Sequence, residues 1–123
     1  MNILAIDDNE DILSLLETVL TSKDHDFTQA SNGKDGLKLI EEQNFDAVLL
    51  DLAMPEFSGV DVIESLEKND RLKNQKIIIF TASSATDKEI NKLLKHDGIK
   101  LCIRKPVDID FLINKVEEVV KSQ

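Results

Sequence analysis

Five residues that could take part in chemistry stand where short apolar runs of the sequence end: Asp7, Asp8, Asp51, Thr81 and Lys105. Three of them are carboxylates, and carboxylates that lie close together repel one another. At about 4 Å and an effective dielectric constant near 20, one such pair costs on the order of 4 kcal/mol. The repulsion is relieved if carboxyl pKa values rise or a cation binds. A few oxygen ligands suit Mg²⁺, which is commonly held by one or two carboxylates together with a phosphate.

The same residue types favour phosphoryl chemistry. A carboxylate beside Mg²⁺ can act as a nucleophile toward phosphorus, since aspartate forms acyl phosphates. The Lys105 ammonium can neutralise one phosphoryl oxygen, and the Thr81 hydroxyl can donate to another. Ala82, next to Thr81, leaves room for the group. Pro106 follows Lys105, so their peptide bond is a candidate for the cis form, which would fix where the ammonium points.

Five strands are predicted, and four of them carry these residues to one place. The apolar runs predict strands at Asn2–Ile6, Phe27–Ala30, Asp46–Asp51, Lys76–Thr81 and Ile99–Arg104. Helices are predicted at Asn9–Ser22, in a short segment through Glu42, from Ser58 to about Lys68, from a cap at Thr86 to Gly98, and after a cap at Asp108. Alternating strands and helices indicate βαβ units, a parallel sheet and helices on both faces. The first and third strands are then neighbours, and their acids meet at the carboxyl edge, where ligands bind in such sheets.

Helical spacing also predicts which side chains face inward. In the first helix these are Ile12, Leu15, Leu16, Val19 and Leu20. In the last helix they are Phe111, Leu112, Val116 and Val119. His25 and His96 stand alone in polar surroundings, so surface positions are expected for both.

The length, composition and net charge of the chain limit its possible functions. A chain of 123 residues, 41% of them hydrophobic, predicts one domain over residues 1–123. With 15 basic and 24 acidic residues the net charge is −9, which argues against direct binding to nucleic acid or to an anionic membrane. No apolar run has the length of a membrane span, and the start lacks the features of a signal peptide, so a cytoplasmic location is expected. Cys102 is the only cysteine, which excludes an internal disulfide.

Four motifs in order resemble those of the receiver domain of two-component response regulators, of the chemotaxis-regulator type. They are the pair Asp7-Asp8, the stretch from Asp51 to Gly59, the pair Thr81-Ala82 and the pair Lys105-Pro106. The resemblance covers the whole chain. It implies an α/β, flavodoxin-like, doubly wound (βα)5 fold with a five-stranded parallel sheet in the order 2-1-3-4-5.

The resemblance also implies residue roles. Asp51 is the expected phosphoacceptor, supplied by a histidine kinase or a histidine phosphotransfer protein. Mg²⁺ is the expected cofactor, held by Asp8, Asp51 and the Ala53 carbonyl directly and by Asp7 through water. Thr81 and Lys105 are expected to contact the phosphoryl oxygens, and the modified domain to change its binding to a downstream protein. Family members usually carry Tyr, Phe or His three residues before the lysine, and here that residue is Cys102.

A stand-alone receiver that acts through partner binding, and catalyses only its own phosphorylation and dephosphorylation, is the favoured function, because no output domain follows Ser122. A chemotaxis-type regulator and a phosphorelay intermediate are both open. An aspartyl-phosphate phosphohydrolase is disfavoured because it generally needs an acid two residues after the nucleophile, where Ala53 stands. A flavodoxin would need a phosphate-binding loop where this chain has Asp7 to Glu10. A phosphorylation-independent interaction domain is the remaining alternative.

Overall fold

Five strands and five α-helices alternate along the chain in the computed structural model, which describes residues 1–82 and 84–122. The strands are β1 (Asn2–Ile6), β2 (Asp26–Ala30), β3 (Ala47–Leu50), β4 (Ile77–Thr81) and β5 (Ile99–Arg104). The α-helices are α1 (Glu10–Ser22), α2 (Gly33–Glu42), α3 (Gly59–Lys68), α4 (Asp87–Leu94) and α5 (Ile109–Lys121), and a 3-10 turn spans Leu72–Asn74. Neighbouring strands are parallel, in the order β2-β1-β3-β4-β5. The predicted flavodoxin-like sheet is confirmed.

The sheet separates two apolar layers, because side chains alternate between its faces along each strand. Helices α2, α3 and α4 cover one face, where they pack over residues such as Leu4 and Val48. Helices α1 and α5 cover the other, over residues such as Ile3 and Leu49. Strands β3 and β4 are buried along their whole length, as central strands of a parallel sheet are. Within the described residues, no helix is long and apolar enough to cross a membrane.

Side-chain caps begin α2, α4 and α5, the last two at the predicted cap residues. The Asn32 side chain accepts a hydrogen bond from the Asp35 amide over 2.8 Å at the start of α2. The Thr86 hydroxyl oxygen accepts from the Glu89 amide over 3.2 Å at the start of α4. The Asp108 carboxylate accepts from the amide two residues later over 2.8 Å at the start of α5. Each cap satisfies an amide that has no partner inside its helix.

The inward faces of α1 and α5 differ from those predicted. The buried residues of α1 are Leu13, Leu16 and Leu20. Those of α5 include Ile113 and Val120, which were not predicted. Leu15 is 49% exposed and Phe111 is 48% exposed, so the prediction that both face inward is wrong. Apolar residues on these helices form a stripe wider than the part that touches the sheet. Leu15 and Phe111 stand at the edge of that stripe.

Helix α4 ends at Leu94, before the predicted end at Gly98. The chain turns early because it must return to the sheet, where the Gly98 carbonyl accepts a hydrogen bond from the Ile77 amide over 2.8 Å. A Cβ atom at Gly98 would lie 1.9 Å from the Leu72 carbonyl oxygen. The glycine at this position therefore permits close approach of two backbone segments and does not cap the helix.

His25 is partly buried, so its predicted surface position is wrong. Its side chain is 11% exposed, and its Nε2 lies 3.0 Å from Glu117 Oε2 on α5. This hydrogen bond holds the pKa of Glu117 below its usual value. The pair ties the turn between α1 and β2 to α5. His96 is more exposed, as predicted, with Nδ1 3.1 Å from Glu67.

Gly59 lets α3 begin directly against the end of β3. A Cβ atom there would lie 2.2 Å from the Asp51 carbonyl oxygen and 2.8 Å from the Leu52 Cα. Both are backbone atoms, so neither can turn aside as a flexible side chain could. The close approach of α3 therefore depends on glycine at this position.

We expect Gly59→Ala to lower the free energy of unfolding by about 3 kcal/mol, at the upper end of overpacking costs. Urea unfolding followed by circular dichroism measures this loss. Glu64→Ala, at an exposed position of the same helix, is the control and should change stability by less than about 0.5 kcal/mol. A Gly59→Ala protein as stable as the control would contradict the role given to this glycine.

Candidate functional site

Backbone hydrogen bonds continue beyond the strands and fix where the polar residues leave the sheet. The Asp7 amide donates to the last carbonyl of β2 over 3.1 Å, and the Asp51 amide to the last carbonyl of β1 over 3.0 Å. The Lys105 amide donates to the Thr81 carbonyl over 2.9 Å. Because β1 lies beside β3 and β4 beside β5, these bonds deliver all four residues to the same edge.

Asp7, Asp8 and Asp51 form a carboxylate cluster, in which one oxygen of each lies within 4.8 Å of the others. Asp7 and Asp51 are buried, whereas Asp8 is exposed and opens the cluster to solvent. Burial raises the pKa of Asp7, and the hydrogen bond from Lys105 opposes this effect. The predicted proximity of the three acids is confirmed. Their oxygen-only donor set fits Mg²⁺ better than a softer metal.

The Lys105 ammonium is the positive charge beside this cluster. Its Nζ lies 2.6 Å from Asp7 Oδ2 and 3.7 Å from Asp51 Oδ2. It also lies over the Phe80 ring, 5.0 Å from the centroid. The peptide bond to Pro106 is cis, as the sequence suggested. The structure thus brings the lysine into the acid site and shows that its nearest carboxylate is Asp7.

Asp51 is held by two donors on one oxygen. The Thr81 hydroxyl donates to Asp51 Oδ1 over 2.8 Å, and the Ala53 amide donates to the same oxygen over 3.2 Å. Thr81 is fully buried, so its hydroxyl lies inside the site. The second oxygen, Oδ2, faces Lys105. The contact of Ala53 is made by its amide, and its carbonyl as a metal ligand stays a prediction.

Two residues near the site were not singled out from the sequence. Phe80 lies under the lysine, and its only sequence signal is an aromatic residue directly before Thr81. Arg104 donates through Nη2 to the Ala85 carbonyl over 2.8 Å, and lies 3.3 Å from Asp87 Oδ1. It therefore connects the end of β5 to the segment between Thr81 and α4. Its sequence signal is a charged residue next to Lys105, which does not identify a partner.

Cys102 is a packed residue, as the sequence interpretation favoured. It is partly buried and contacts the apolar layer that contains α4. Burial raises the pKa of its thiol above the ordinary value of 9.0. The thiol is therefore neutral near pH 7.

The model of the response regulator receiver domain family matches residues 3–117 of the chain. The chain belongs to this family. It has the fold of receiver domains, which serve two-component signalling. Members of the family typically bind Mg²⁺ at this acidic pocket. The predicted resemblance is confirmed.

Three similar proteins match this chain over almost its whole length. The CAI-1 autoinducer sensor kinase/phosphatase CqsS of Vibrio cholerae is 33% identical over 115 residues, which are 93% of this chain and 16% of that protein. Protein PilH of Pseudomonas aeruginosa is 30% identical over 119 residues, 96% of each chain. The response regulator TrrA of Thermotoga maritima, solved in complex with Mg²⁺-BeF, superposes with a TM-score of 0.80 at 30% identity and covers 96% of this chain and 97% of its own.

We expect Mg²⁺ to raise the unfolding temperature of the protein, because a cation that binds only the folded state stabilises it. The gain is about 2.7 kcal/mol at a concentration 100 times the dissociation constant. Asp8→Asn removes the exposed member of the carboxylate cluster and should abolish most of the gain. Differential scanning fluorimetry with and without Mg²⁺ measures both effects.

Asp97→Asn is the matched control for this experiment. Asp97 is an exposed acid in the turn before β5 and does not belong to the carboxylate cluster. The control should respond to Mg²⁺ as the unmodified protein does. Equal responses of Asp8→Asn and Asp97→Asn would show that the cation binds elsewhere.

Proposed function

We propose that this chain is a stand-alone receiver that accepts a phosphoryl group on Asp51 and thereby changes its binding to a partner protein. The donor is a phosphohistidine on a histidine kinase or a histidine phosphotransfer protein. The observation that carries the proposal is the setting of Asp51, a buried carboxylate with the Thr81 hydroxyl at 2.8 Å and the Lys105 ammonium at 3.7 Å. PilH, which this chain matches over 96% of both lengths, supports the stand-alone form.

The transfer forms one bond and breaks one. A carboxylate oxygen of Asp51 attacks the phosphorus, the P–N bond to the donor imidazole breaks, and the imidazole keeps the bonding electron pair and takes up a proton from solvent. The product on this chain is an acyl phosphate. Thr81 and Lys105 are positioned to donate hydrogen bonds to phosphoryl oxygens, where negative charge is concentrated. The chain itself supplies the acceptor and these donors.

Mg²⁺ fits the same site. By family resemblance it would be held by Asp8, Asp51 and the Ala53 carbonyl directly and by Asp7 through water. When bound, it would supply positive charge to the phosphoryl oxygens and offset the repulsion among the carboxylates. The complex of TrrA with Mg²⁺-BeF supports this assignment. Asp7 is the residue that would have to exchange its contact with Lys105 for a contact in the metal shell.

Phosphorylation of Asp51 itself is better supported than hydrolysis of an external phosphate ester. A phosphohydrolase of this chemistry needs a proton-transfer group two residues after the nucleophile. The residue there is Ala53, whose methyl group cannot transfer a proton. The acyl phosphate therefore has no acid or base at that position to speed its breakdown. The chain acts on its own carboxylate, and its output is a change in binding.

The route from Asp51 to the surface begins at Thr81. Its hydroxyl contacts Asp51, and the segment that follows it leads to α4, the helix packed over the face that contains Cys102. Arg104 connects the far end of this segment to β5 through the Ala85 carbonyl. A phosphoryl group adds roughly −1.5 to −2 charges, which changes the partners available to the Thr81 hydroxyl.

The cytoplasmic location stays a prediction.

Asp51→Asn should abolish phosphorylation, because the amide is not a nucleophile toward phosphorus. Intact-protein mass spectrometry after incubation with acetyl phosphate and Mg²⁺ should show one added phosphoryl group on the unmodified chain and none on the variant. The same unmodified chain without Mg²⁺ should show little or none. The free energy of unfolding of Asp51→Asn should equal that of the unmodified chain or exceed it by about 1 kcal/mol, since one buried like charge is removed.

Asp61→Asn is the control, since Asp61 lies on α3 and its side chain caps that helix at Ser58. It should be phosphorylated to the same extent as the unmodified chain. Phosphorylation of Asp51→Asn at another residue would refute the assigned acceptor. No phosphorylation of the folded, unmodified chain would favour an interaction domain that works without the modification.

Thr81→Ala should still be phosphorylated but should transmit the change poorly, because the hydroxyl that contacts Asp51 is gone. Amide spectra recorded by NMR before and after phosphorylation measure this without a partner protein. In the unmodified chain we expect shifts at Ile90 in α4 and at Cys102 in β5, and in Thr81→Ala less than about half of those shifts. Equal shifts in the two proteins would show that the change reaches α4 by another route.

A further inference from the structure

The Phe80 ring has no part in the phosphoryl chemistry described above, yet it lies against one of its groups. We propose that Phe80 is a positioning residue, whose ring holds the Lys105 ammonium beside Asp51 while the phosphoryl group is transferred. This inference rests on the proposed function and adds a residue to it. The observation that carries it is the position of Lys105 Nζ over the ring face, 5.0 Å from the centroid.

The ring and the ammonium are both removed from solvent. Phe80 is 7% exposed and the Lys105 side chain 13% exposed. Phe80 lines two spaces. One is a narrow void beside Asp7 and Asp51, and the other is a groove between α1 and the β5–α5 connection, which Lys105 also lines. The ring therefore borders both the acids and the side of the lysine that faces the groove.

The Lys105 ammonium needs the restraint that the ring supplies, because Asp7, its nearest carboxylate, has a second role. Its short contact is with Asp7 at 2.6 Å, whereas Asp51 is 3.7 Å away. Under the proposed function Asp7 also serves the metal shell, which weakens its hold on Lys105. Lysine has a flexible four-carbon stem and loses much rotamer freedom when it is fixed. The attraction of a cation to an aromatic face does not depend on the state of Asp7, and it is strongest where water is excluded.

Phe80 is also a member of the apolar layer under α1 and α5. A purely structural role would make any well-packed apolar side chain an adequate replacement. A positioning role requires an aromatic face. Phe80→Leu and Phe80→Met retain the apolar character and lose the face, and Phe80→Tyr retains both. The two roles therefore make different predictions for the same three variants.

The experiment measures the phosphorylation rate with acetyl phosphate at saturating Mg²⁺. We expect Phe80→Leu and Phe80→Met to be about five- to tenfold slower than the unmodified chain, and Phe80→Tyr to lie within about twofold of it. In a Lys105→Met background, Phe80→Leu should slow the reaction by less than about twofold further, because the partner of the ring is absent. Val116→Ala, which thins the same layer at a residue that does not line the groove beside the ring, is the packing control and should keep the rate.

A second readout does not depend on activity. In the protein without Mg²⁺, NMR of the lysine side chains should show the Lys105 Hε protons shifted upfield by the Phe80 ring current. The shift should persist in Phe80→Tyr and disappear in Phe80→Leu. Mg²⁺ affinity, measured by calorimetry, should change less than about twofold in Phe80→Leu, since Phe80 supplies none of the proposed metal ligands.

The outcomes separate this inference from the proposed function. If the unmodified chain is phosphorylated and Phe80→Leu is equally fast, the positioning role is wrong and the proposed function stands. The positioning role is also wrong if Phe80→Leu is equally harmful with and without Lys105, or if Phe80→Tyr is as slow as Phe80→Leu. If the unmodified chain is not phosphorylated at all, both are overturned.

Discussion

The arrangement at the carboxyl edge depends on one electrostatic constraint: Asp7 and Asp51 are both buried beside an exposed third acid, with one lysine ammonium between them. Like charges at this spacing cost on the order of 4 kcal/mol per pair. Lys105 offsets part of that cost, and the raised pKa of Asp7 shows that burial still opposes its charge. An excess of carboxylates over ammonium groups favours a cation at this edge. Under the proposed function, that cation would also offset the charge of an incoming phosphoryl group.

The topology explains why a lysine is needed at that place. Lys105 follows β5 and its nearest acid follows β1, with β3 and β4 between them in the sheet. Adjacent strands lie about 4.8 Å apart, so a long side chain has to reach back across the edge. Phe80 is on β4, one of the two strands that this side chain reaches across, and its ring lies beneath the ammonium. The strand order therefore determines how far the Lys105 side chain must reach and which strand lies beneath it.

The meeting of the acids at one edge could be predicted from the sequence, because the candidate site residues stand at the ends of apolar runs and the first and third strands are neighbours. The full strand order was predicted from the family resemblance. The side-chain contacts within the site could not be predicted. The acid nearest to Lys105 and the ring beneath its ammonium depend on the path that the lysine side chain takes across the strands. Leu15 and Phe111 were misplaced for a related reason. Apolar spacing identifies a stripe on a helix, but the width of the buried part depends on how close the sheet lies. His25 was misplaced because its partner, Glu117, is distant in the sequence.

Cys102 and Arg104 together bear on how the proposed switch reaches the surface. A thiol at position 102 lacks the aromatic ring that family members usually carry there, and it packs into the layer with α4. The connection that the chain does provide runs through the segment after Thr81, which Arg104 ties to β5 at the Ala85 carbonyl. Under the proposed function, a displacement at Thr81 would therefore reach α4 through this segment, near the point where Arg104 holds the Ala85 carbonyl. In this member of the family, a loop and a guanidinium replace the aromatic side chain as the proposed link.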